Sequence, residues 1–164
     1  MYRKYDPIEK VIETCVKHAS DMLIEHGIRD PFTVKLKKLK NKNWLALYRS
    51  NTQFSSEPII WININLYDIF RKQENYERKK YGDSQLNEYI VITDNILHEY
   101  GHVIAEWGRV RNPKIEAIVA SFGSEEDFAE GFKDFIRDGF STYGNYSEVI
   151  RLFKKDINSG QQEL

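Results

Sequence analysis

Residues 92–107 read ITDNILHEYGHVIAEW and contain the pattern His-Glu-x-x-His. Apolar residues recur through this stretch at helical spacing, while His98 and His102 fall on its polar stripe. Because an α-helix turns once every 3.6 residues, two histidines four positions apart share a face and can bind one zinc ion. Glu99 lies beside them, where a carboxylate can take a proton from a zinc-activated water. The stretch predicts a helix with a zinc site, although two surface histidines beside a chance glutamate would give the same pattern.

A second helix is predicted between Ser124 and Gly139, which read SEEDFAEGFKDFIRDG. Ser124 and Asp127 have the spacing of a capping box, and Gly139 suits a helix end. Acidic residues recur at four-residue steps along one face, at Glu126, Glu130 and Asp134. An acidic stripe is most often a solvent-exposed face, and acids near a helix N-terminus are favoured by the helix dipole. Taken alone, the stripe therefore does not identify a further zinc ligand.

Together, HEYGH and the later EDFAE resemble the gluzincin class of zinc metallopeptidases. The most similar pattern is that of the short zincin domain of lethal-factor-like peptidases, whose later helix carries Glu-x-Phe-Ala-Glu. The resemblance implies that Glu126 joins His98 and His102 as the third ligand of one zinc ion. It also implies that Glu130 accepts a hydrogen bond from a ligand imidazole and fixes its orientation. Two histidines, a glutamate and a water are a standard set of ligands in catalytic zinc sites.

One position departs from this family pattern. Lethal-factor-like peptidases carry a tyrosine seven residues before the ligand glutamate, where it is thought to support the oxyanion, but this chain has Val119. The segment 112–123 instead predicts a short helix with Asn112 as its N-cap and Pro113 at its first position. Another residue would then have to stabilise the oxyanion. The first candidate is Tyr143, and the others are Tyr146, Tyr100 and Arg109. An ordinary loop or packing role is the simpler interpretation of each of the four residues.

The remaining sequence predicts a compact scaffold of helices and short strands. Its predicted elements are a helix from Pro7 to His26, strands at 32–40, 44–48 and 59–65, and a last helix from Tyr146 to Ile157. With the resemblance, these elements imply an α+β fold. It would be a compact zincin-like domain with a small, mostly antiparallel sheet, an active-site helix and a following glutamate helix. We expect one domain over residues 1–157 and a disordered polar tail at 158–164.

The strand at 59–65, IIWININ, is rich in β-branched and aromatic residues. Zincin domains commonly run a sheet edge beside the active-site helix, and an extended substrate can pair with such an edge. The resemblance therefore implies substrate contacts from Ile60, Asn63 and Asn65, although a strand without a substrate role is equally consistent with the residues. The charged stretch 71–85 is predicted to be a helix end and a mobile loop that could cover the cleft as a lid.

Composition narrows the class of protein. The chain has 164 residues, 41% of them hydrophobic, which is enough for one domain with a core. Its net charge of −1 gives no reason to expect nucleic acid or an anionic membrane as partner. No apolar run approaches the ~20 residues of a membrane helix, and MYRKYDPIEK at the N-terminus lacks the apolar block of a signal peptide. With the single cysteine Cys15 excluding a disulfide framework, we expect a cytoplasmic protein.

These features together predict a zinc-dependent endopeptidase that acts on a protein or peptide substrate with one Zn²⁺ per chain. One alternative is a repressor-cleaving metalloprotease of a mobile element, since such enzymes also pair HExxH with a downstream glutamate. The other is a zincin-like domain that binds metal but has lost catalysis and serves as an interaction module. Val119 in place of the tyrosine favours the interaction module, whereas an intact Glu99 argues against it because pure binding needs no general base.

Overall fold

A computed structural model of the protein describes residues 6–29, 32–39, 46–48, 57–82, 87–139 and 145–162. This part of the chain contains six helices and three strands, which confirms the prediction of a mixed helix and sheet fold. In chain order the elements are α1 (Ile8–Glu25), β1 (Thr33–Lys37), β2 (Ala46–Tyr48), β3 (Ile59–Asn63), α2 (Leu66–Tyr81), α3 (Glu88–Arg111), α4 (Pro113–Ala120), α5 (Glu125–Asp138) and α6 (Tyr146–Gln162).

The sheet is mixed, and its strand order is β1-β3-β2. β1 runs parallel to β3, with Thr33 opposite Ile59, and β2 runs antiparallel to β3, with Tyr48 opposite Ile60. The prediction of a mostly antiparallel sheet is therefore wrong, because one strand pair is of each kind. The expectation that β3 is an edge strand is also wrong. Both of its backbone edges bond to neighbouring strands, and the side chain of Asn63 is fully buried.

Helix α3 passes through the centre of the molecule and packs against α1, α4, α5 and β2. It is buried on more than one side, because apolar residues occupy most of its circumference apart from the stripe that carries the histidines. One hydrophobic core joins the helices to the sheet, with contributions from Leu23 of α1, Ile62 of β3, Ile96 of α3, Phe132 of α5 and Phe153 of α6. The HExxH helix is thus held by packing along its whole length.

A close approach of two backbones places α5 over the histidines. A Cβ atom on Gly101 would lie 2.8 Å from the Cα atom of Ala129 and 3.3 Å from its carbonyl oxygen. Real side chains do not tolerate the shorter distance, so α5 can lie this close to α3 only because residue 101 is a glycine. The consequence for the site is that the first turns of α5 reach the polar stripe of α3.

The helix ends follow the predicted capping signals. The side chain of Ser124 accepts a hydrogen bond of 3.0 Å from the N–H of Asp127, and α5 ends at Gly139 with φ of 81°. Asn112 caps α4 in the same manner, with Pro113 at the first helical position as predicted. These local signals fix where α4 and α5 begin, and therefore which residues of α5 face α3.

Two segments differ from the sequence-based expectation. Helix α2 extends from Leu66 to Tyr81, so most of the stretch 71–85, predicted as a helix end followed by a mobile loop, is helical, and residues 83–86 lie outside the described part. Helix α6 continues to Gln162, so residues 158–162 are helical where a disordered tail is predicted. Among the described residues, none of the helices combines the length and the apolarity that crossing a membrane requires.

Candidate metal centre

The HExxH pattern forms a compact group on α3. Each of His98, Glu99 and His102 offers one ligand atom, and these atoms lie within 4.8 Å of one another. The two imidazole centroids are 5.1 Å apart, and both rings are mostly covered by the protein. The prediction that His98 and His102 share one helix face is confirmed, and the His-Glu-His group could hold a metal ion.

The carboxylate of Glu126 lies between the two imidazoles. Its Oε2 is 3.0 Å from Nε2 of His98, and its Oε1 is 2.8 Å from Nε2 of His102. Three ligands of a tetrahedral zinc ion lie roughly 3.4 Å apart, because each bond is about 2.1 Å long. Each of the two nitrogen–oxygen distances is therefore only a few tenths of an ångström shorter than the distance between two ligands of a bound zinc ion. The donor set, two imidazole nitrogens and a carboxylate, is chemically suited to zinc.

Each imidazole is held from its other nitrogen by a second carboxylate. Oε2 of Glu130 lies 2.8 Å from Nδ1 of His98, and Oε2 of Glu125 lies 2.6 Å from Nδ1 of His102. An ionised carboxylate only accepts hydrogen bonds, so Glu130 and Glu125 favour a proton on Nδ1, which is the tautomer that binds a metal through Nε2. Glu130 has the position that the resemblance implies. Glu125 is an additional residue that the sequence-based reasoning did not single out.

A cation holds each of these two carboxylates. Nη1 of Arg109 lies 2.6 Å from Oε1 of Glu125, and Lys133 forms an ion pair with Glu130. Burial by itself would raise the pKa of both glutamates, but hydrogen bonds from the cations and the histidines outweigh it and lower the pKa. Both carboxylates are therefore ionised at neutral pH and can accept from the imidazoles.

Glu99 points into the cleft and is bonded to the sheet. Its Oε2 accepts a hydrogen bond of 2.9 Å from the main-chain N–H of Tyr48 in β2. The residue is only 9% exposed, and this burial raises the pKa of its carboxyl, although His102 and the Tyr48 N–H act in the opposite direction. The carboxylate is thus a fixed proton acceptor beside the two histidines.

The same hydrogen bond shows how β2 is oriented. The N–H of Tyr48 points away from β3, so Tyr48 and Ile60 form a non-hydrogen-bonded pair of the antiparallel ladder. Because orientation alternates along an antiparallel strand, Ala46, two residues earlier, is expected to direct its N–H and its C=O to the same side as the N–H of Tyr48. No other strand in the described part of the chain pairs with this edge of β2. β2, rather than β3, is the sheet edge beside the histidines.

A cleft of about 950 Å³ contains the group. Its floor is the polar stripe of α3, and its two walls are residues 46–48 of β2 and the first two turns of α5. None of Ile60, Asn63 and Asn65 is among its described lining residues. The structure therefore does not bring the expected substrate-binding residues of β3 to the site.

The candidates for oxyanion support fall in different places. The hydroxyl of Tyr146 is buried and donates a hydrogen bond of 3.0 Å to the carbonyl of Phe128, and burial raises its pKa. Tyr100 is fully buried in the core, so neither tyrosine faces the cleft. Arg109 lines the cleft but is bonded to Glu125. Tyr143 lies outside the described residues.

No family model matches the chain, and neither a curated protein nor a solved structure matches it. The site is therefore described from its geometry alone. It is a His-Glu-His group that could hold a metal ion.

Proposed function

We propose that the protein is a zinc-dependent endopeptidase in which His98, His102 and Glu126 hold one Zn²⁺ per chain. The observation that carries this proposal is the convergence of both Nε2 atoms on the carboxylate of Glu126, at 3.0 and 2.8 Å. The sequence resemblance to gluzincins assigns the same three residues to the metal.

A zinc ion at this position would supply a Lewis acid that lowers the pKa of a water towards ~7 and polarises a carbonyl group. Glu99 is the general base for the attacking water, and it then passes the proton to the leaving amine. Two features of Glu99 support this role. Its burial shields the carboxylate from solvent, and the Tyr48 N–H holds it beside the histidines.

A peptide substrate is favoured over a small molecule because a strand edge borders the cleft. Ala46 directs both its N–H and its C=O to the cleft side of β2, where an extended chain can pair with them. The N–H of Tyr48 is already used by Glu99, so Ala46 is the residue expected to form the ladder. The cleft would then hold a peptide between β2 and α5, above the histidines.

The proposal is tested by metal content and peptide cleavage in matched variants. We expect one zinc per chain in the wild type and loss of zinc in His98→Ala and Glu126→Ala. Glu99→Gln should retain zinc and lose peptidase activity by about 10²- to 10⁴-fold, because a positioned base contributes that much. The exposed His18→Ala and Glu9→Gln serve as controls for the same chemical changes away from the cleft.

Two results would contradict this proposal in different ways. Less than a tenth of a zinc per chain after growth with added metal would remove the metal site. Full zinc occupancy without cleavage in a diverse peptide library would instead identify a metal-binding interaction module. A difference between wild type and Glu99→Gln in the same library separates peptidase activity from a contaminating protease.

A further inference from the structure

Each of the two imidazoles is joined through a carboxylate to a cation, but the two links are built differently. Nδ1 of His98 bonds to Glu130, which pairs with Lys133 on the same helix, three residues later. Nδ1 of His102 bonds to Glu125, which pairs with Arg109. Arg109 is on α3, so this second link leaves α3, reaches α5 and returns to α3 two turns beyond the histidine.

We propose, on the basis of the metal site proposed above, that Arg109 is a positioning residue that sets the metal affinity of the site through Glu125. Its carboxylate partner, Glu125, bonds to Nδ1 of His102, whereas a metal would bind at Nε2. The guanidinium of Arg109 lies 2.6 Å from Oε1 of Glu125, and the other oxygen of that carboxylate lies 2.6 Å from Nδ1 of His102. Arg109 therefore acts on the imidazole only through the carboxylate.

The carboxylate of Glu125 needs this second partner to keep its orientation. Its side chain is 33% exposed, so burial alone does not hold it in place. With one oxygen on Arg109 and the other on His102, both ends of the carboxylate are fixed. The cleft around it is otherwise acidic, and carboxylates of the same cleft repel one another, among them Glu99, Glu126 and Glu130. Without the guanidinium, this repulsion and side-chain entropy would favour movement of Glu125 away from the histidine.

The two cations are not equivalent in geometry. Lys133 divides its ammonium group between Glu130 and Asp134, the latter at 3.3 Å. Arg109 presents a planar guanidinium whose donors have a fixed direction, whereas a lysine acts as a point charge. Replacement of Arg109 by lysine would therefore keep the charge but not the fixed direction. We expect Arg109→Lys to have a metal affinity between those of the wild type and Arg109→Ala.

The competing role for Arg109 is direct contact with substrate or oxyanion. That role predicts that Arg109→Ala loses turnover without any change in the affinity of the protein for the metal ion. The positioning role predicts weaker metal binding in the absence of any substrate. Metal affinity measured without peptide therefore distinguishes the two roles.

The experiment is a double-mutant cycle on metal affinity in the full chain. Zn²⁺ affinity is measured by competition with a chromophoric chelator for wild type, Arg109→Ala, Glu125→Gln and the double variant. Because partners of metal ligands contribute about 10- to 100-fold to affinity, we expect Glu125→Gln to weaken binding within that range. Arg109→Ala should weaken it in the same direction by a smaller factor. In the Glu125→Gln background, Arg109→Ala should have no further effect.

Two further measurements exclude a general structural effect. The Arg151–Glu148 pair has the same 2.6 Å separation and lies on α6, so Arg151→Ala is a matched control that should leave affinity unchanged. Thermal unfolding of the metal-free variants reports damage to the fold. The absorption spectrum of bound Co²⁺ should change in Arg109→Ala and Glu125→Gln but not in Arg151→Ala, because it reports ligand geometry.

Three results would overturn the inference. They are an Arg109→Ala affinity within twofold of wild type, an independent additive effect in the Glu125→Gln background, and an Arg109→Lys affinity and Co²⁺ spectrum equal to those of wild type. The last result would reject the role of the guanidinium. This comparison does not need Arg109→Ala, so it remains decisive if that variant unfolds. A wild-type protein that binds neither Zn²⁺ nor Co²⁺ would instead refute the proposed function.

Discussion

The main-chain N–H of Tyr48 donates a hydrogen bond of 2.9 Å to Oε2 of Glu99, and this bond ties the sheet to the HExxH helix. A shorter acid at position 99 would lose this bond or its place beside the histidines. Glu99→Asp shortens the side chain by one carbon, about 1.5 Å of reach. Since misplacement by about 1 Å can cost 10²-fold, we expect kcat/KM to fall by about that factor in zinc-loaded protein. Glu9→Asp, an exposed change on α1, should leave kcat/KM unchanged, and equal activity in both variants would argue against Glu99 as the base.

The close contact between Gly101 and Ala129 predicts that Gly101→Ala destabilises the protein, although the same substitution in a helix usually stabilises it. Glycine to alanine within a helix normally stabilises a protein by up to ~1 kcal/mol. Here the new methyl group would lie 2.8 Å from the Cα atom of Ala129, so α5 must move away from α3. We expect Gly101→Ala to lower the free energy of unfolding by about 1–3 kcal/mol in urea denaturation of the metal-free protein. A stabilised variant would show that the two helices do not approach this closely.

Asp156 joins the end of α3 to α6. Its Oδ2 accepts hydrogen bonds from Nε1 of Trp107 at 2.9 Å and from Nδ2 of Asn112 at 2.6 Å. Asp156→Ala leaves both donors without this acceptor, so we expect a loss of about 1–3 kcal/mol in the free energy of unfolding. Glu148→Ala breaks an exposed ion pair and should lower the free energy of unfolding much less than Asp156→Ala does. Similar losses in the two variants would mean that the Trp107 and Asn112 bonds contribute little.

Replacement of Tyr146 tests whether its hydroxyl has a structural role in the core or a catalytic role. Its hydroxyl bonds to the carbonyl of Phe128 inside the protein, beneath Gly131. We therefore expect Tyr146→Phe to lose about 1 kcal/mol of stability and to keep kcat within twofold of wild type. Peptide cleavage and urea denaturation measure the two effects separately. A loss of 100-fold in kcat with zinc still bound would require the hydroxyl to act in catalysis.

Asp94 should make stability depend on pH. Burial raises the pKa of its carboxyl above the ordinary value of 3.8, although Arg137 and Lys133 act in the opposite direction. The folded protein therefore holds this proton more tightly than the unfolded chain does. The resulting stabilisation is complete below pH 3.8 and is lost as pH rises through the folded pKa, so ionised Asp94 costs stability at neutral pH.

Asp94→Asn removes that cost. We expect the Tm of the metal-free variant to equal or exceed that of wild type at pH 7. As pH falls below 4, the Tm of wild type should rise relative to that of the variant, because protonated Asp94 stabilises the folded protein. Thermal unfolding across this pH range measures the trend, with the exposed Asp21→Asn as control. If Asp94→Asn instead lost stability at pH 7 and regained it at low pH, the effect of the substitution would have the opposite sign. The ion pair with Arg137 would then outweigh the cost of burying Asp94.

Local signals in the sequence predicted the parts of the site that depend on one helix at a time. The four-residue spacing of His98 and His102 was sufficient for their shared face, and Ser124 and Gly139 were sufficient for the ends of α5. These features depend on backbone periodicity and capping, which nearby residues determine.

Features that depend on packing between distant segments could not be predicted in this way. Nothing local indicates that β1 lies parallel to β3 or that the three-residue β2 borders the cleft. The pairing of Arg109 with Glu125 depends on how closely α5 crosses α3, which is a property of the folded pair of helices. For the same reason the sequence left Tyr146 open as a candidate for oxyanion support or a packing residue, and α6 directs it into the core.

The exposure of Glu126 has a consequence for how the centre would acquire its ion. Its side chain is 72% exposed, whereas those of His98 and His102 are 17% and 15% exposed. An ion arriving from solvent would meet this one movable carboxylate before it reaches two prearranged imidazoles, so loading needs no opening of the fold. Which divalent ion occupies such an accessible centre then depends on relative affinities along the first-row series and on the supply in the surrounding medium.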